Sequence, residues 1–474
     1  MSLVNGKWEI VIGLEVHAQI ASKTKLFSFG DASFGGEPNA HVDLLDVGMP
    51  GVLPVLNEKC VDQAIKSGLS INATIHKKSV FDRKNYFYPD LPLGYQISQF
   101  FEPIVTDGHL MIDGKKIRIN RIHIEQDAGK SIHDIDPHST YIDFNRAGVG
   151  LMEIVTEPDM SSAEEAVAFV KKLRTLLKYI GTCDGNMEEG SMRADVNISL
   201  RKPGGELGTR CEIKNLNSMT FIKKAIEYEV TRQAEILDEG GVIEQETRLF
   251  NTKTLETSLM RSKEDAADYR YFPDPDLLPL ILTDERIERL RAELPELPDT
   301  KKQRYISDFD IKEADAILLS EDRDAAEYFE EGLKSGVPAQ LLANWIIVEL
   351  FSMLNEENME VADSKVAATD LAAMVGLIAD GTISGKIAKD VFKLMWETGE
   401  KPADIIEKNN WKQISDSAEI EAVVSKIIAA NADKVEQYKS GKTKLFGFFV
   451  GMVLKEFSGK ANPEVVNEVL EKHL

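Results

Sequence analysis

The sequence predicts an α+β protein, with a mainly antiparallel sheet in its first 295 residues and helices from there to the end. Two observations carry this. Up to about residue 295, stretch after stretch alternates apolar and polar side chains with a period of two, the pattern of strands with one buried face. Past Pro295-Glu-Leu-Pro298 the alternation stops and apolar residues recur at helical spacing.

The clearest alternation is Trp8 to Ile20, where Ile10, Ile12, Leu14, Val16, Ala18 and Ile20 share one face. Gly13, Glu15, His17 and Gln19 share the other, setting a carboxylate and an imidazole side by side with a glycine leaving room. Asn57 to Leu69 then has helical spacing. Phe81 to Phe100 is aromatic and basic but broken by Pro89 and Pro92, so it reads as a ligand-lining loop. Arg121 to Asp127 alternates again, with His123, Glu125 and Asp127 on the polar side. The following Asp127-Ala-Gly-Lys-Ser131 looks like the end of a phosphate-binding P-loop, but that loop needs Gly where this chain has Ile124. Lys130 remains a candidate point charge for phosphate.

Glu153 stands alone among Leu151, Met152, Ile154 and Val155, an acid costly to bury unless paired or metal-bound. Ser161-Ser-Ala-Glu164 reads as a capping box before a helical stripe of Ala166, Phe169, Val170, Leu173, Leu177 and Ile180. Two more strands follow. Met192 to Arg201 presents Arg193, Asp195, Asn197, Ser199 and Arg201 on one face, and after the Pro203-Gly-Gly205 turn Arg210, Glu212 and Lys214 alternate with Cys211 and Ile213. Asn217 to Leu237 reads as a helix closing on Gly240-Gly241. Three domains result: 1–295, a helical 296–405, and a helical 406–474 set off by a linker at Glu400-Lys-Pro-Ala-Asp404.

Composition limits the function. A net charge of −23 argues against nucleic-acid binding over the whole surface, so any such contact must be local. Lys434 to Lys460 supplies a candidate, with six Lys against Glu436 and Glu456 for a net of +4. Cys60, Cys183 and Cys211 stand far apart, suggesting neither disulfides nor a thiolate zinc site. Met1-Ser-Leu-Val-Asn-Gly6 lacks a basic stretch followed by an apolar one, and no run is long enough to span a bilayer. We therefore expect a cytoplasmic protein.

The polar strand faces point to chemistry. Glu15, Glu125 and Glu153 with His17 form a mostly oxygen donor set, which suits Mg²⁺ or Mn²⁺ better than zinc. Arg121, Lys130, Arg193, Arg201 and Lys214, with Asp195 and Asn197 beside them, are candidates to bind the phosphates of a nucleotide. The residues alone thus describe a Mg²⁺- and nucleotide-dependent enzyme without a P-loop.

They also resemble a known family, the B subunits of aspartyl/glutamyl-tRNA(Asn/Gln) amidotransferases, over nearly the whole chain. The motifs are Gly13-Leu-Glu-Val-His17, Phe81-Asp-Arg-Lys-Asn-Tyr-Phe-Tyr-Pro-Asp90, Gln96-Ile-Ser-Gln99, Glu125-Gln-Asp-Ala-Gly-Lys130 and Glu153-Ile-Val-Thr-Glu-Pro-Asp159. Met187-Glu-Glu-Gly-Ser-Met-Arg193, Lys214-Asn-Leu-Asn-Ser218 and Asp268-Tyr-Arg-Tyr-Phe-Pro273 complete the set. The resemblance implies a cradle-like α+β domain, a helical domain and a YqeY-like tail reaching the outer corner of tRNA, where Lys439, Lys442, Lys444, Lys455 and Lys460 would make the contact. It implies a carbon–nitrogen ligase in a heterotrimer whose other members are an amidase, the A chain, and a small bracing C chain. ATP and Mg²⁺ would serve to phosphorylate the side-chain carboxylate of Glu-tRNA(Gln) or Asp-tRNA(Asn), and ammonia from glutamine would displace the phosphate. The implied metal ligands and catalytic residues are Glu15, His17, Glu125 and Glu153. Some members carry a second Glu where this chain has Gln126, which leaves two adjacent positions open for that ligand. Two other readings stand beside this one: a non-catalytic tRNA-binding scaffold, and a free-standing metal-dependent hydrolase that would not need the tail.

Overall fold

The computed structural model describes residues 3–262, 268–412, 417–457 and 461–474. The chain divides into two compact units, Met1–Leu297 and Pro298–Leu474. The first boundary thus falls two residues after the one expected at 295.

The first unit carries strands β1 Glu9–Gln19, β2 Thr74–Ile75, β3 Lys78–Ser79, β4 Asp82–Asn85, β5 Tyr95–Ser98, β6 Val105–Ile112 and β7 Lys115–Gln126. They are followed by β8 Lys130–Asp136, β9 Ser139–Asp143, β10 Gly150–Thr156, β11 Met192–Arg201, β12 Cys211–Lys214, β13 Glu246–Asn251, β14 Glu256–Ser262 and β15 Phe272–Pro273. Nine of these form one sheet in the order β14-β13-β12-β11-β1-β10-β7-β6-β2, antiparallel except where β12 meets β13. The sheet is therefore mainly antiparallel, and the first alternating stretch lies at its centre.

Helices α1 Glu58–Ser70, α2 Ala163–Tyr179 and α3 Met219–Asp238 supply apolar stripes to one side of this sheet. Ile12, Leu14, Val16 and Ala18 of β1 pack there with Ile65, Phe169, Val170 and Ile222, all at most 1% exposed. Burying each large aliphatic side chain contributes about 1.5–3 kcal/mol, so the alternation fixes which face turns inward. Asn57 caps α1 by accepting from the Lys59 amide. At α2 the capping box sits one residue later than expected: Ser162 accepts from the Glu165 amide, and Glu165 Oε2 accepts from the Ser161 amide at 2.8 Å. Ser-x-x-Glu fits both registers, and Glu164 is instead paired with Lys223 of α3 at 2.9 Å.

α3 is tied to β13 and β14 through Glu229, which is fully buried. It accepts from Arg232 Nη2 at 2.6 Å, Gln233 Nε2 at 3.0 Å and Thr257 Oγ1 at 3.0 Å, and lies 3.4 Å from Arg248 Nε. Cys60, Cys183 and Cys211 are free and buried.

In the second unit the described elements are all helical. They gather on two apolar clusters, one from Tyr305 to Ile406 and one from Ile420 to Leu470. The boundary expected at 405 falls inside helix Pro402–Lys408, whose Ile405 and Ile406 belong to the first of these clusters. Pro402 occupies the first turn of that helix, a position proline favours, rather than a linker. In the first cluster's periphery, Glu330 Oε1 accepts from Lys301 Nζ at 2.8 Å, Arg304 Nη2 at 2.6 Å and the Tyr305 hydroxyl at 2.9 Å. Burial opposes ionisation of Glu330, but these donors hold it below its ordinary value of 4.5. Its stabilising share is present above pH 4.5 and lost as pH falls through the lowered value. Glu330→Gln should cost about 1–2 kcal/mol at neutral pH. Hydrogen exchange of the Pro298–Phe309 helix in rising urea should show that gap narrowing as pH falls below 4.5 through the lowered value; a pH-independent gap would contradict this origin.

Candidate active site on the open sheet face

In an antiparallel pair, residues directly opposite each other share a face, and here the register aligns the polar ones. His17 of β1 stands opposite Arg193 of β11 and Glu153 of β10, and Glu153 stands opposite His123 of β7. One row across four neighbouring strands therefore reads Arg193, His17, Glu153, His123. Asp195 lies opposite Glu15 on one side of this row, and Glu125 opposite Leu151 on the other.

The side chains converge. His17 Nε2 is 3.6 Å from Glu15 Oε1, 3.5 Å from Glu153 Oε2 and 3.8 Å from Glu125 Oε1. His123 Nε2 is 3.4 Å from Glu153 Oε2 and 3.6 Å from Glu125 Oε2. His17, His123, Glu125, Glu153 and Asp195 are buried; Glu15 is half-buried. Of the two adjacent positions left open, Glu125 turns into the cluster. Gln126 pairs with Gly150 and offers its backbone oxygen to Gln96.

Electrostatics tie the cluster together. Burial would raise the Glu153 carboxyl, yet His123 and His17 hold it well below the usual range. Burial and the charge of Glu153 raise Glu15. Burial would lower His123, but the charge of Glu153 and the contacts to Glu125 carry it up to about 9. Burial likewise opposes His17, which Glu153 nevertheless raises.

The carboxylate oxygens around His17 Nε2 stand 3.5–3.8 Å from it, beyond the 2.7–3.2 Å of good hydrogen bonds. Ligands of a six-coordinate cation held at about 2.1 Å are spaced from about 3 to about 4 Å, so this spacing suits donors around a common ion. One donor atom each from His17, Glu125 and Glu153 lies within 4.8 Å of the others, and so does one each from Glu15, His17 and Asp195. The Nδ1 atoms of both His17 and His123 are buried with no partner among the described residues. Each set, two carboxylates and the shared His17 imidazole, offers a donor group suited to a hard divalent cation.

The cation candidates divide. Arg193, at the β11 end of the row, has Nη2 3.5 Å from Asp127 Oδ1, and beside the row Lys214 Nζ bonds Asp195 at 2.7 Å and Glu212 at 2.8 Å. Arg121 Nη2 lies 3.9 Å from Glu153 Oε1. Asn197 is half-buried opposite Gly13 and Glu212. Gly13 is not sterically required: a Cβ there would meet Thr156 and Pro158 at ordinary 3.7–3.8 Å contacts. Arg201 is taken by Glu9 at 2.9 Å, at the far end of β11. Lys130 is not brought to the cluster: the Asp127 and Gly129 amides bond Val149 and Asp90, turning the chain off the sheet, and Lys130 is exposed on the separate β8–β9 hairpin.

Two residues escape sequence reasoning. His123 is visible on the polar side of its strand but carries no separate signal. Lys84 lies in the basic stretch read as a ligand-lining loop but is not singled out within it, because it comes near the site only when the small β15-β4-β5 sheet lies against β7. There Ser98 Oγ donates to Glu125 Oε2 at 3.2 Å and the Ile124 amide donates to Gln99 Oε1 at 3.0 Å. Lys84 Nζ lies 4.9 Å from the Tyr269 ring centre. Burial would lower its ammonium, but Glu125, Tyr271 and Glu153 hold it above its ordinary value.

In the tail, Lys439, Lys442, Lys444 and Lys455 are exposed around the ends of helices Ala432–Lys439 and Leu445–Glu456. Lys460 lies outside the described residues.

A helix-backed antiparallel sheet with acids and imidazoles clustered on its other face, in a chain whose sequence has no P-loop, defines an α+β domain with a candidate metal-dependent catalytic face. The family model described as the GatB/GatE catalytic domain matches residues 10–288, and that described as the GatB domain matches residues 327–474. The aspartyl/glutamyl-tRNA(Asn/Gln) amidotransferase B subunit of Rickettsia bellii (strain RML369-C) is 57% identical over 475 residues, covering 99% of this chain and 98% of the relative. The proteins of the same name from Bradyrhizobium sp. (strain BTAi1 / ATCC BAA-1182) and Pelagibacter ubique (strain HTCC1062) are 56% and 55% identical, over 100% and 98% of this chain and 98% and 96% of the relatives. The chain belongs to this family of amidotransferase B subunits. No helix among the described residues is long and apolar enough to cross a membrane.

Proposed function

We propose that this chain is the kinase and transamidase member of a heterotrimeric tRNA-dependent amidotransferase, acting with an amidase, the A chain, and a small C chain. Its substrates are Glu-tRNA(Gln), Asp-tRNA(Asn) or both, with ATP and glutamine-derived ammonia. The observation that carries the reading is the row Arg193, His17, Glu153, His123 with Glu15 and Glu125 beside it, in a chain 57% identical to a protein of that family.

A carboxylate is a poor electrophile, so amide formation needs a leaving group. The γ-phosphoryl group passes from ATP to a side-chain carboxylate oxygen, releasing ADP. Ammonia nitrogen then attacks the carbonyl carbon, phosphate leaves, and a proton is lost to give the amide. Glu15, His17, Glu125 and Glu153 would hold Mg²⁺, which when bound supplies charge neutralisation at the phosphate oxygens. Arg193, Lys214 and Lys84 border the cluster as cations that orient phosphate and offset its charge. Ser98, Gln96 and Gln99 fasten the overlying strands to β7, which keeps Glu125 aimed and water away from one side of the cluster.

The test is the complete reaction: this chain with its A and C partners, ATP, Mg²⁺, glutamine and charged tRNA, with the amino acid released from tRNA identified afterwards. ATP-dependent Gln or Asn supports the proposal; neither product from either tRNA refutes it. The tail lysines make a separate contribution. Replacing Lys439, Lys442, Lys444 and Lys455 together by Ala should raise KM for charged tRNA and flatten the salt dependence of tRNA binding, leaving kcat nearly unchanged. An unaltered salt slope would remove this face from the tRNA contact.

A further inference from the structure

We infer that His123 is a positioning residue for the cation site: it holds the outer oxygen of Glu125, leaving the other to the ion, and bears on Glu153 Oε2 so that this oxygen stays beside His17. This rests on the proposed cation site and extends it. The two oxygens of Glu125 are differently engaged. Oε1 faces His17 Nε2 at 3.8 Å, whereas Oε2 faces His123 Nε2 at 3.6 Å and receives the Ser98 hydroxyl at 3.2 Å. His17 and His123 approach Glu153 Oε2 from two strands, at 3.5 and 3.4 Å. His123 comes from β7, on the side of the row away from Glu15 and Asp195, and it is only 5% exposed.

The register explains why this position matters. His17 and His123 flank Glu153 on the two strands that border β10, so an unbraced Glu153 could swing toward either one. Groups behind metal ligands, though they do not touch the ion, fix ligand orientation, and their loss costs about 10–100-fold in metal affinity. Ser98 shares the task from the overlying β5, anchoring the same oxygen of Glu125 from above.

Mn²⁺ serves as the probe, added to the full chain and followed by electron spin resonance for free ion and by electron spin echo modulation for bound nitrogen. Wild type should show one coupled imidazole nitrogen, from His17. His123→Ala should weaken Mn²⁺ binding by about 10–100-fold with that nitrogen signal retained, and His123→Gln, which keeps a donor, should recover part of the loss. Ser98→Ala, a milder change should His123→Ala fail to fold, should weaken binding by a smaller factor. Binding within twofold of wild type in these variants overturns the inference. Two nitrogen couplings in wild type, one of them lost in His123→Gln, overturn it as well, since His123 would then touch the metal itself. Wild type that binds no Mn²⁺ removes the cation site altogether, a failure distinct from either.

Discussion

Glu153→Gln should abolish ATP-dependent amide formation, by at least about 100-fold, while tRNA binding stays within twofold of wild type. The expectation follows from where Glu153 sits. It is the member of the row that both imidazoles face, buried to 7% exposure, and its second oxygen lies 3.9 Å from Arg121. The amide of Gln preserves volume but takes away the charge and one of the two acceptor oxygens. In the empty site the two imidazoles then face one carboxylate fewer, and in the loaded site the cation loses an anionic ligand. Glu15→Gln should act in the same direction, more weakly, because Glu15 is only half-buried at the edge of the row. Rates of Gln or Asn formation, together with labelled phosphate transfer from ATP, provide the measurement. Amide formation within tenfold of wild type would move the chemistry off this sheet face and favour a scaffold that only holds tRNA.

The second large effect is on stability. Glu229→Ala should destabilise the first unit by about 3–5 kcal/mol, the scale for removing one member of a buried ion network. Glu229 is the acceptor on which Arg232, Gln233 and Thr257 converge, and Arg248, only 8% exposed, keeps Glu246 and Thr257 but loses its charge partner on α3. Because the chain has two units, a single unfolding midpoint would mix them, so hydrogen exchange at β13 and β14 in rising urea is the proper readout. Glu229→Gln keeps one acceptor oxygen and the side-chain volume and should cost less. A loss below about 1 kcal/mol for Glu229→Ala, the scale of one ordinary hydrogen bond, would mean that packing of α3, and not this network, holds the β13–β14 edge.

The relation between these residues and the bare sequence is uneven. Period-two alternation identified the strand at the centre of the sheet and the polar faces of β7 and β11, because a one-residue slip would turn Ile12, Leu14 and Val16 toward solvent. Helical spacing placed α1 from Asn57 onward and the apolar stripe of α2. Local chemistry misplaced what it leaves ambiguous. Ser-x-x-Glu occurs in two registers at α2, and a proline signals a linker or a first helical turn equally well at Pro402.

By itself the sequence determined the α+β class and the inward and outward faces of the central strands, and it singled out Glu15, His17, Glu125 and Glu153 as candidates. The faces and Glu15, His17 and Glu125 follow from the side-chain period of a strand, a local property of the backbone, and Glu153 from being a lone acid in an apolar run. Tertiary structure alone decided which strands are neighbours: that β1 lies between β10 and β11, so that His17 meets Glu153 and Arg193, and that β7 brings His123 to the same row. It also decided that Lys84 joins the cluster while Lys130 leaves it, since one depends on a small sheet folding over a large one and the other on where the chain departs from its strand. Residues more than a hundred positions apart become opposite partners through strand pairing, and no period within a single strand encodes that choice.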